Sequence, residues 1–285
     1  MAIHGGRFGT INGIPAVKSW QINDDGNLSR FINSATAMGH GRRKGVSQWA
    51  GGYGSHGAKP AVMPAKFFSF AGYTAPDNDT ANGDGQVYLG NAIVDSVNIT
   101  WDWAGGGVLQ HQVGFSGDLA LTSTPNHAAY LDSTISGPQA VGLCSIQHSI
   151  DGSAWLPTAN ITQAQLNIVA ANSAYINSST ASGTGRVPGP IDWTASLAVD
   201  GELFGNGVSK NADYWWRFYI NATEFYELKW GTVKGFSGLT VDRESQKVVS
   251  HSINIEMNAT SDIVVPGTPA MGYIKLPDTT TYWPF

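Results

Sequence analysis

The sequence predicts a mainly β protein, built as two tandem antiparallel β-sandwich or barrel domains with little helix. Three observations predict this class: apolar and polar residues alternate with a period of two, glycine-rich turns separate the alternating segments, and the second half repeats the first. The 285 residues include 35 glycines and are 42% hydrophobic but only 13% charged. A chain of this composition can bury a large core, which excludes a disordered protein.

The repeat is clearest between residues 32–57 and 176–201, where Ile32 corresponds to Ile176 at an offset of 144. Eleven of these 26 positions are identical, whereas chance gives about two. Further along the offset is 140, and it aligns the residues Ile99, Trp101, Val108 and His111 with Leu239, Val241, Val248 and His251. A period of this length has the size of a domain. The sequence therefore predicts two copies of one domain, 1–144 with a linker and 145–285 with a C-terminal arm.

Alternation within each copy indicates half-buried strands. In residues 191–200 the odd-numbered positions are apolar and the even-numbered ones are mostly polar. Three glycines, 105–107, join two alternating segments and predict a hairpin. Residues 162–174 would permit a short helix, but their counterpart 17–23 alternates like a strand, so a strand is predicted there. Residues 122–152 lack strong periodicity and are expected to form a linker or a crossing arm.

Charge and cysteine content restrict the partners and the compartment. The net charge is -5 and the only cluster of cations is Arg42, Arg43 and Lys44, which argues against a protein that grips nucleic acid or an anionic membrane. The single cysteine, Cys144, forbids an intrachain disulfide. The N-terminus lacks the pattern of a signal peptide, and no apolar run approaches the length of about 18 residues typical of a membrane span. We therefore expect cytosolic synthesis without a signal peptide.

Residues for catalysis are not arranged in any familiar pattern. No two histidines have the spacing of a metal site, and Cys144 with His148 lacks a nucleophile signature. His111 and His251 occupy equivalent places on the apolar side of their strands, which favours two hydrogen-bonded core residues over a repeated site. The glycine-rich segment 39–45 lacks the Gly-Lys-Ser/Thr of a phosphate loop. The sequence thus predicts no catalytic residues, no cofactor, no metal and no enzyme.

Ten tryptophans raise an alternative function, because exposed indoles can stack on sugar rings. Trp215, Trp216 and Trp283 are the candidates for such a carbohydrate-binding β-sandwich protein. Trp215 and Trp216 align with Phe67 and Phe68 in a hydrophobic strand, which favours a place in the core or in an interface.

Two pairs of segments resemble a known family. Residues 177–193 and their copy 33–49 resemble the segment that leads into a sheet strand of tailed-bacteriophage tail tube proteins, and residues 97–102 with 108–118 are similar to the paired strands near the end of that domain. Such proteins usually carry one domain and form hexameric rings, so the resemblance implies a duplicated tail tube protein with trimeric, pseudo-hexameric rings. Another virion component, in the capsid or baseplate, is a further alternative.

The resemblance also implies location and partners. It places the protein in the virion tail after synthesis in the cytoplasm of the host bacterium. The expected partners are copies of itself, the tape measure and terminator proteins of the tail, and double-stranded DNA in transit without specific binding, with no membrane.

A tube requires a lumen and contacts between subunits. About four strands per copy give about 24 strands for three chains, and a backbone diameter of about 48 Å. The polar faces of two hairpin strands are expected to line the lumen, although they could instead face outside water; their residues are Gln110, Gln112, Ser116, Asp118, Ser250, Ser252, Asn254 and Glu256. The expected contacts between rings or subunits are Asp77, Asp79, Asp84, Arg42, Arg186, Tyr282, Trp283 and Phe285.

Overall fold

A computed structural model describes most of the chain as β-sheet. The described residues are 10–11, 13–14, 16–31, 41–56, 60, 62–74, 85–105, 107–126, 140–180, 182–201, 207–241, 248–258, 274–275 and 282–283. Their strands are β1 (Thr10–Ile11), β2 (Val17–Phe31), β3 (Gly41–Ser55), β4 (Phe67–Tyr73), β5 (Gly85–Asp102), β6 (Gln110–Asn126), β7 (Ile146–Ser149), β8 (Leu156–Pro157), β9 (Ile161–Ala170), β10 (Ser173–Tyr175), β11 (Gly185–Val187), β12 (Ile191–Asp200), β13 (Asp213–Tyr219), β14 (Phe225–Thr240), β15 (Ser250–Met257), β16 (Ile274–Lys275) and β17 (Tyr282–Trp283). Two 3-10 turns, Val141–Leu143 and Ser178–Thr180, are the only helical turns among these residues.

Fifteen strands belong to one sheet. Its main path runs β2-β3-β6-β5-β9-β12-β15-β14-β13-β7-β8, while β4 pairs with β5 and β1, and β16 pairs with β14 and β17. β10 and β11 form a separate hairpin. The predicted mainly β, antiparallel class is confirmed. The strand predicted at residues 162–174 is present from 162 to 170 in β9, and residues 173 and 174 belong to β10. The predicted hairpin is present as the antiparallel pair β5–β6.

The two halves repeat one strand order and one register. The order is β1-β4-β5-β6-β3-β2 in the first half and β7-β13-β14-β15-β12-β9 in the second. All nine residue pairs between β9 and β12 recur between β2 and β3 at an offset of 144, and both ladders carry a bulge at the same place. Residue 144, the predicted boundary, lies between the end of β6 and the start of β7.

A second bulge also recurs. The β5–β6 register shifts between Val94 and Ser96, and the β14–β15 register shifts between Val233 and Gly235, at an offset of 139. Gly238, with a φ of +69°, adds one residue to β14 beyond that bulge. An extra residue in the left-handed conformation is typical of a glycine bulge. It explains why the sequence repeat continues from there at an offset of 140.

The predicted linker is narrower than expected. Residues 122–152 were predicted to be a linker because they lack clear alternation, but β6 continues to Asn126 and β7 begins at Ile146. This part of the prediction was wrong. Thr122, Ser123 and Thr124, in this extension of β6, are all polar and exposed, so the strand shows no alternation of apolar and polar residues there.

Apolar side chains gather on one face of the sheet around a tryptophan in each copy. Trp49 and the equivalent Trp193 are almost fully buried. Trp49 packs 5.7 Å from Phe70 and 6.0 Å from Phe115, measured between ring centroids. A Cβ atom added at Gly117 would lie 2.1 Å from the Trp49 ring, so glycine is required for this contact.

The copies are joined strand to strand. β5 pairs with β9 from Ser96↔Val169 to Asp102↔Gln163. At the end of this joint, Nε1 of Trp101 donates a hydrogen bond to the Tyr219 carbonyl at 2.9 Å, and its ring lies 5.5 Å from that of Phe218. The two copies therefore share one sheet and one core.

We expect Gly117→Ala to lower the free energy of unfolding by about 1–3 kcal/mol, because the added methyl group overlaps the Trp49 ring. Urea unfolding followed by tryptophan fluorescence measures the change. Gly142→Ala is the matched control, since a Cβ atom there meets nothing within 4 Å. Equal stability of the two variants would contradict the packing described here.

Candidate functional site: a polar sheet face and two strand edges

Alternation along the strands leaves one face of the sheet polar. Eight strands contribute to this polar face, namely β2, β3, β6, β5, β9, β12, β15 and β14, and their outward residues are mostly Gln, Asn, Ser, Thr and Gly. One row of directly opposed residues crosses it from copy to copy through Gly54, Gln112, Asn98, Asn167, Thr194 and Glu256. Opposed residues of neighbouring strands point to the same side. The polar face is therefore continuous across the joint.

The residues predicted to line a lumen fall on two strands of this face. Gln110, Gln112 and Ser116 alternate with buried residues on β6. Ser250, Ser252, Asn254 and Glu256 do the same on β15. The two groups occupy equivalent strands of the two copies, separated by β5, β9 and β12.

Asp118 has a different environment. Its Oδ1 atom accepts a hydrogen bond from the backbone N–H of Arg186 at 2.9 Å, while Nε of Arg186 donates to the Gly117 carbonyl at 3.2 Å. The β10–β11 hairpin of copy two thus docks on the middle of β6 in copy one. Backbone hydrogen bonds from Leu119 to Thr184, at 2.9 Å, and from Thr184 to Ser47, at 3.2 Å, complete this contact.

The charges on the polar face differ between the copies. At the bulge of β5, Oδ2 of Asp95 accepts a hydrogen bond from Ser116, and Oδ1 accepts one from Asn172. At the equivalent bulge of β14, Lys234 forms an exposed ion pair with Glu256. An exposed pair of this kind contributes about 0–1 kcal/mol to stability, so its main effect is on the local charge.

Two hollows lie at equivalent places on the polar face. The first, of about 490 Å3, is lined by β2, β3, β5 and β6, and residues 52, 54 and 114 are glycines there. The second, of about 520 Å3, is lined by β9, β12, β14 and β15. Because these glycines have no side chains, the backbone is exposed in the first hollow. The hollow is shallow, and none of the residues that line it is charged.

The residues predicted to contact other subunits are dispersed. Arg186 binds copy one of its own chain, as described above. Arg42 lies in β3, and Tyr282 and Trp283 form β17, which pairs with β16. Asp77, Asp79, Asp84 and Phe285 lie outside the described residues.

Titratable groups form no metal centre in the described part of the chain. His111 is buried, as predicted, but the predicted hydrogen bond is absent, because neither of its ring nitrogens has a partner among the described residues. Burial, followed by the nearby His56, lowers the pKa of His111 to about 3. His251 is also buried, with Nδ1 3.0 Å from the Gly201 carbonyl. Burial raises the pKa of the Cys144 thiol to about 11, which leaves it a poor nucleophile at neutral pH. His111, His251 and Cys144 are therefore packed in the core.

Two of the three tryptophans considered for sugar binding, Trp215 and Trp216, are engaged within the chain, whereas the side chain of Trp283 lies outside the described residues. Trp216 is fully buried. The Lys229 ammonium lies 4.5 Å from the Trp215 ring centroid, and the Arg217 guanidinium lies 3.8 Å from that of Trp155. These cations cover ring faces on which a sugar would stack.

Comparison with known proteins gives no assignment. No protein-family model matches the chain, and no curated protein matches it. Among the described residues there is also no helix with the length and apolar character that a membrane crossing requires.

The sheet has two strand edges that could not be predicted from the sequence. Within the described residues, β2 pairs only with β3, and residues 237–240 of β14 pair only with β15. We call these the β2 edge and the β14 edge. Leu239 and Val241, at the β14 edge, are 49% and 65% exposed. Both are apolar in the sequence, like their buried counterparts, so composition alone could not distinguish them.

Acidification tests the burial of His111. Because its folded pKa is about 3 and its unfolded pKa is about 6.5, the unfolded chain binds the proton first and stability falls as the pH drops below about 6.5. We expect this residue to contribute a loss of up to about 1.4 kcal/mol per pH unit down to pH 4.

The variant His111→Leu should remove that part of the pH dependence. Urea unfolding of both proteins at pH 7.5, 6, 5 and 4 measures it, and the difference at pH 7.5 gives the effect on packing alone. Parallel stability curves for the two proteins would contradict the assignment.

Proposed function

We propose that the chain is a structural, non-enzymatic subunit of a bacteriophage tail tube, which assembles as stacked trimeric, pseudo-hexameric rings around a DNA-conducting lumen. The observation that carries the proposal is the repeated register: two copies of one strand order, joined edge to edge, with one polar face and an edge at each end. A sheet of this kind closes when its edges pair with those of neighbouring copies. Closure removes the edges at which β proteins otherwise aggregate.

The strand number agrees with a DNA-sized bore. Each chain contributes eight strands to the polar face. Three chains then give about 24 strands, a backbone diameter of about 48 Å and a lumen of about 38 Å once side chains are included. Duplex DNA needs about 20 Å. A ring of about twelve strands would have a backbone diameter near 24 Å and would leave no passage.

The chemistry of the polar face suits passage rather than binding. DNA carries one negative charge per about 1.7 Å, and each cation that faces it adds affinity through counterion release. The row across the polar face contains amides, a hydroxyl, a glycine and one carboxylate, and Lys234 is neutralised by Glu256. Such a surface can line the path of DNA without holding it.

The proposed partners follow from this role. Copies of the same chain form the ring and the stack, tape measure and terminator proteins contact the tube, and DNA passes through it. The protein is then located in the virion tail, after synthesis in the host cytoplasm.

Electron microscopy distinguishes the candidate functions. We expect purified protein to form rings or hollow tubes in negative stain. Monomers with measurable affinity for glycans would instead favour the carbohydrate-binding alternative. Monomers with neither property would reject both and favour another virion component.

Lysine substitutions on the polar face should make the proposed lumen bind DNA. We expect Gln112→Lys with Ser252→Lys to leave tubes intact but to make them retain a fluorescent DNA duplex at 50 mM salt and release it at 200 mM, as counterion release requires. Ala222→Lys, in the exposed turn between β13 and β14, is the control. If both variants bind DNA equally, the polar face does not line the lumen.

A further inference from the structure

We propose that the β14 edge of one chain pairs antiparallel with the β2 edge of a second copy, in the geometry of the internal β5–β9 joint. This inference rests on the proposed ring and names the strands and the register that close it. The occupant of each edge is therefore another copy of this chain.

The internal joint provides the template. β2 corresponds to β9 and β14 to β5, because their ladders with the neighbouring strands repeat residue for residue. Transferring the β5–β9 register to these strands places Ser237 opposite Asn23, Thr240 opposite Gln21 and Val241 opposite Trp20. The corresponding internal pairs are Asn98↔Asn167, Thr100↔Gln165 and Trp101↔Ala164.

The β14 edge carries two apolar residues that are exposed in the single chain and that a further strand could cover. Leu239 and Val241 are 49% and 65% exposed, whereas their counterparts Ile99 and Trp101 are fully buried beneath β9 and β13. The sequence places apolar residues at both pairs of positions, but only those of copy one are covered within the chain. A strand added at the β14 edge would cover the other pair and satisfy the exposed backbone groups.

At each joint a large side chain opposes a small one, but the large side chain belongs to the β5 strand in the internal joint and to β2 in the proposed joint. In the internal joint, the large Trp101 of β5 opposes the small Ala164 of β9. In the proposed joint the small Val241, the residue that follows β14, opposes the large Trp20 of β2, which is half-buried in the single chain. Each joint therefore contains one tryptophan ring, that of Trp101 in the internal joint and that of Trp20 in the proposed joint. Leu239 meets Ile22 in the same way that Ile99 meets Leu166.

Charges on the polar face also match. The register sets Gly235 opposite Asp25, so that Lys234 lies beside an exposed carboxylate. Asp24 departs from the template, since it opposes Phe236 where Ile168 opposes Val97, and it shares the apolar side of the sheet with Trp49. Asp25 is therefore the acidic residue of the β2 edge that is placed beside the cation at the bulge of β14.

Cysteine cross-linking tests the register. Directly opposed residues of antiparallel strands have Cα atoms about 4.5–5.5 Å apart, within the range of a disulfide. We expect Asn23→Cys with Ser237→Cys to give covalent oligomers, up to a closed trimer, on non-reducing gels of assembled protein under mild oxidation. Asn98→Cys with Asn167→Cys is the matched positive control, because the same pair of positions then links within one chain. The native Cys144 is buried and does not interfere.

A displaced pair provides the negative control. Gln21→Cys with Ser237→Cys shifts the pairing by two residues and should cross-link at least tenfold less. If tubes form but the Asn23–Ser237 pair does not link while the internal pair does, the edge assignment is overturned and the tube remains. If the wild-type protein forms no rings, the proposed function fails, and the inference fails with it.

A non-covalent variant gives an independent measurement. Val241→Asp places a charge in the proposed joint but lies at an exposed position of the single chain, so the monomer should fold normally. We expect at least a tenfold decrease in sedimentable tubes. Val187→Asp, at an exposed apolar position of β11, is the control. Unchanged assembly of Val241→Asp would overturn the proposed pairing.

Discussion

Pairing of backbone groups along strand edges is the constraint on which the rest of this structure depends. Every strand presents N–H and C=O groups on both sides, and a strand at the end of a sheet leaves one side without partners. The second half of β5 meets this requirement through β9, which belongs to the other copy of the domain. The joint makes two copies into one sheet, buries Ile99 and Trp101, and continues the polar face from copy to copy.

In the proposed ring, duplication within one chain allows the joint inside a chain and the joint between chains to differ. The backbone register repeats, but the side chains have diverged: Asp95 stands where copy two has Lys234, and Trp101 stands where it has Val241. The β10–β11 hairpin of copy two docks on copy one through Arg186 and Asp118. In the proposed ring, the joint within the chain and the joint between chains would therefore select different partners, which would fix the order in which copies associate.

Much of the fold could be predicted from the sequence, because period-two alternation and the repeat are properties of residue order. They predicted β9 as a strand and the burial of His111 and His251. The bulge at Gly238 and the hairpin contact of Arg186 could not be predicted, since both depend on which strands become neighbours. The polar face was partly predictable from alternation on β6 and β15. The edges of the sheet could not be predicted, because Leu239 and Ile99 are both apolar and differ only in whether a strand of the chain covers them.

The most direct test of the account is a high-resolution electron cryo-microscopy reconstruction of the assembled full-length chain. The account predicts three chains per ring, about 24 strands around the lumen, and the polar face directed inward. A ring whose apolar face surrounds the axis, or a monomer whose two edges are covered by its own terminal segments, would contradict it.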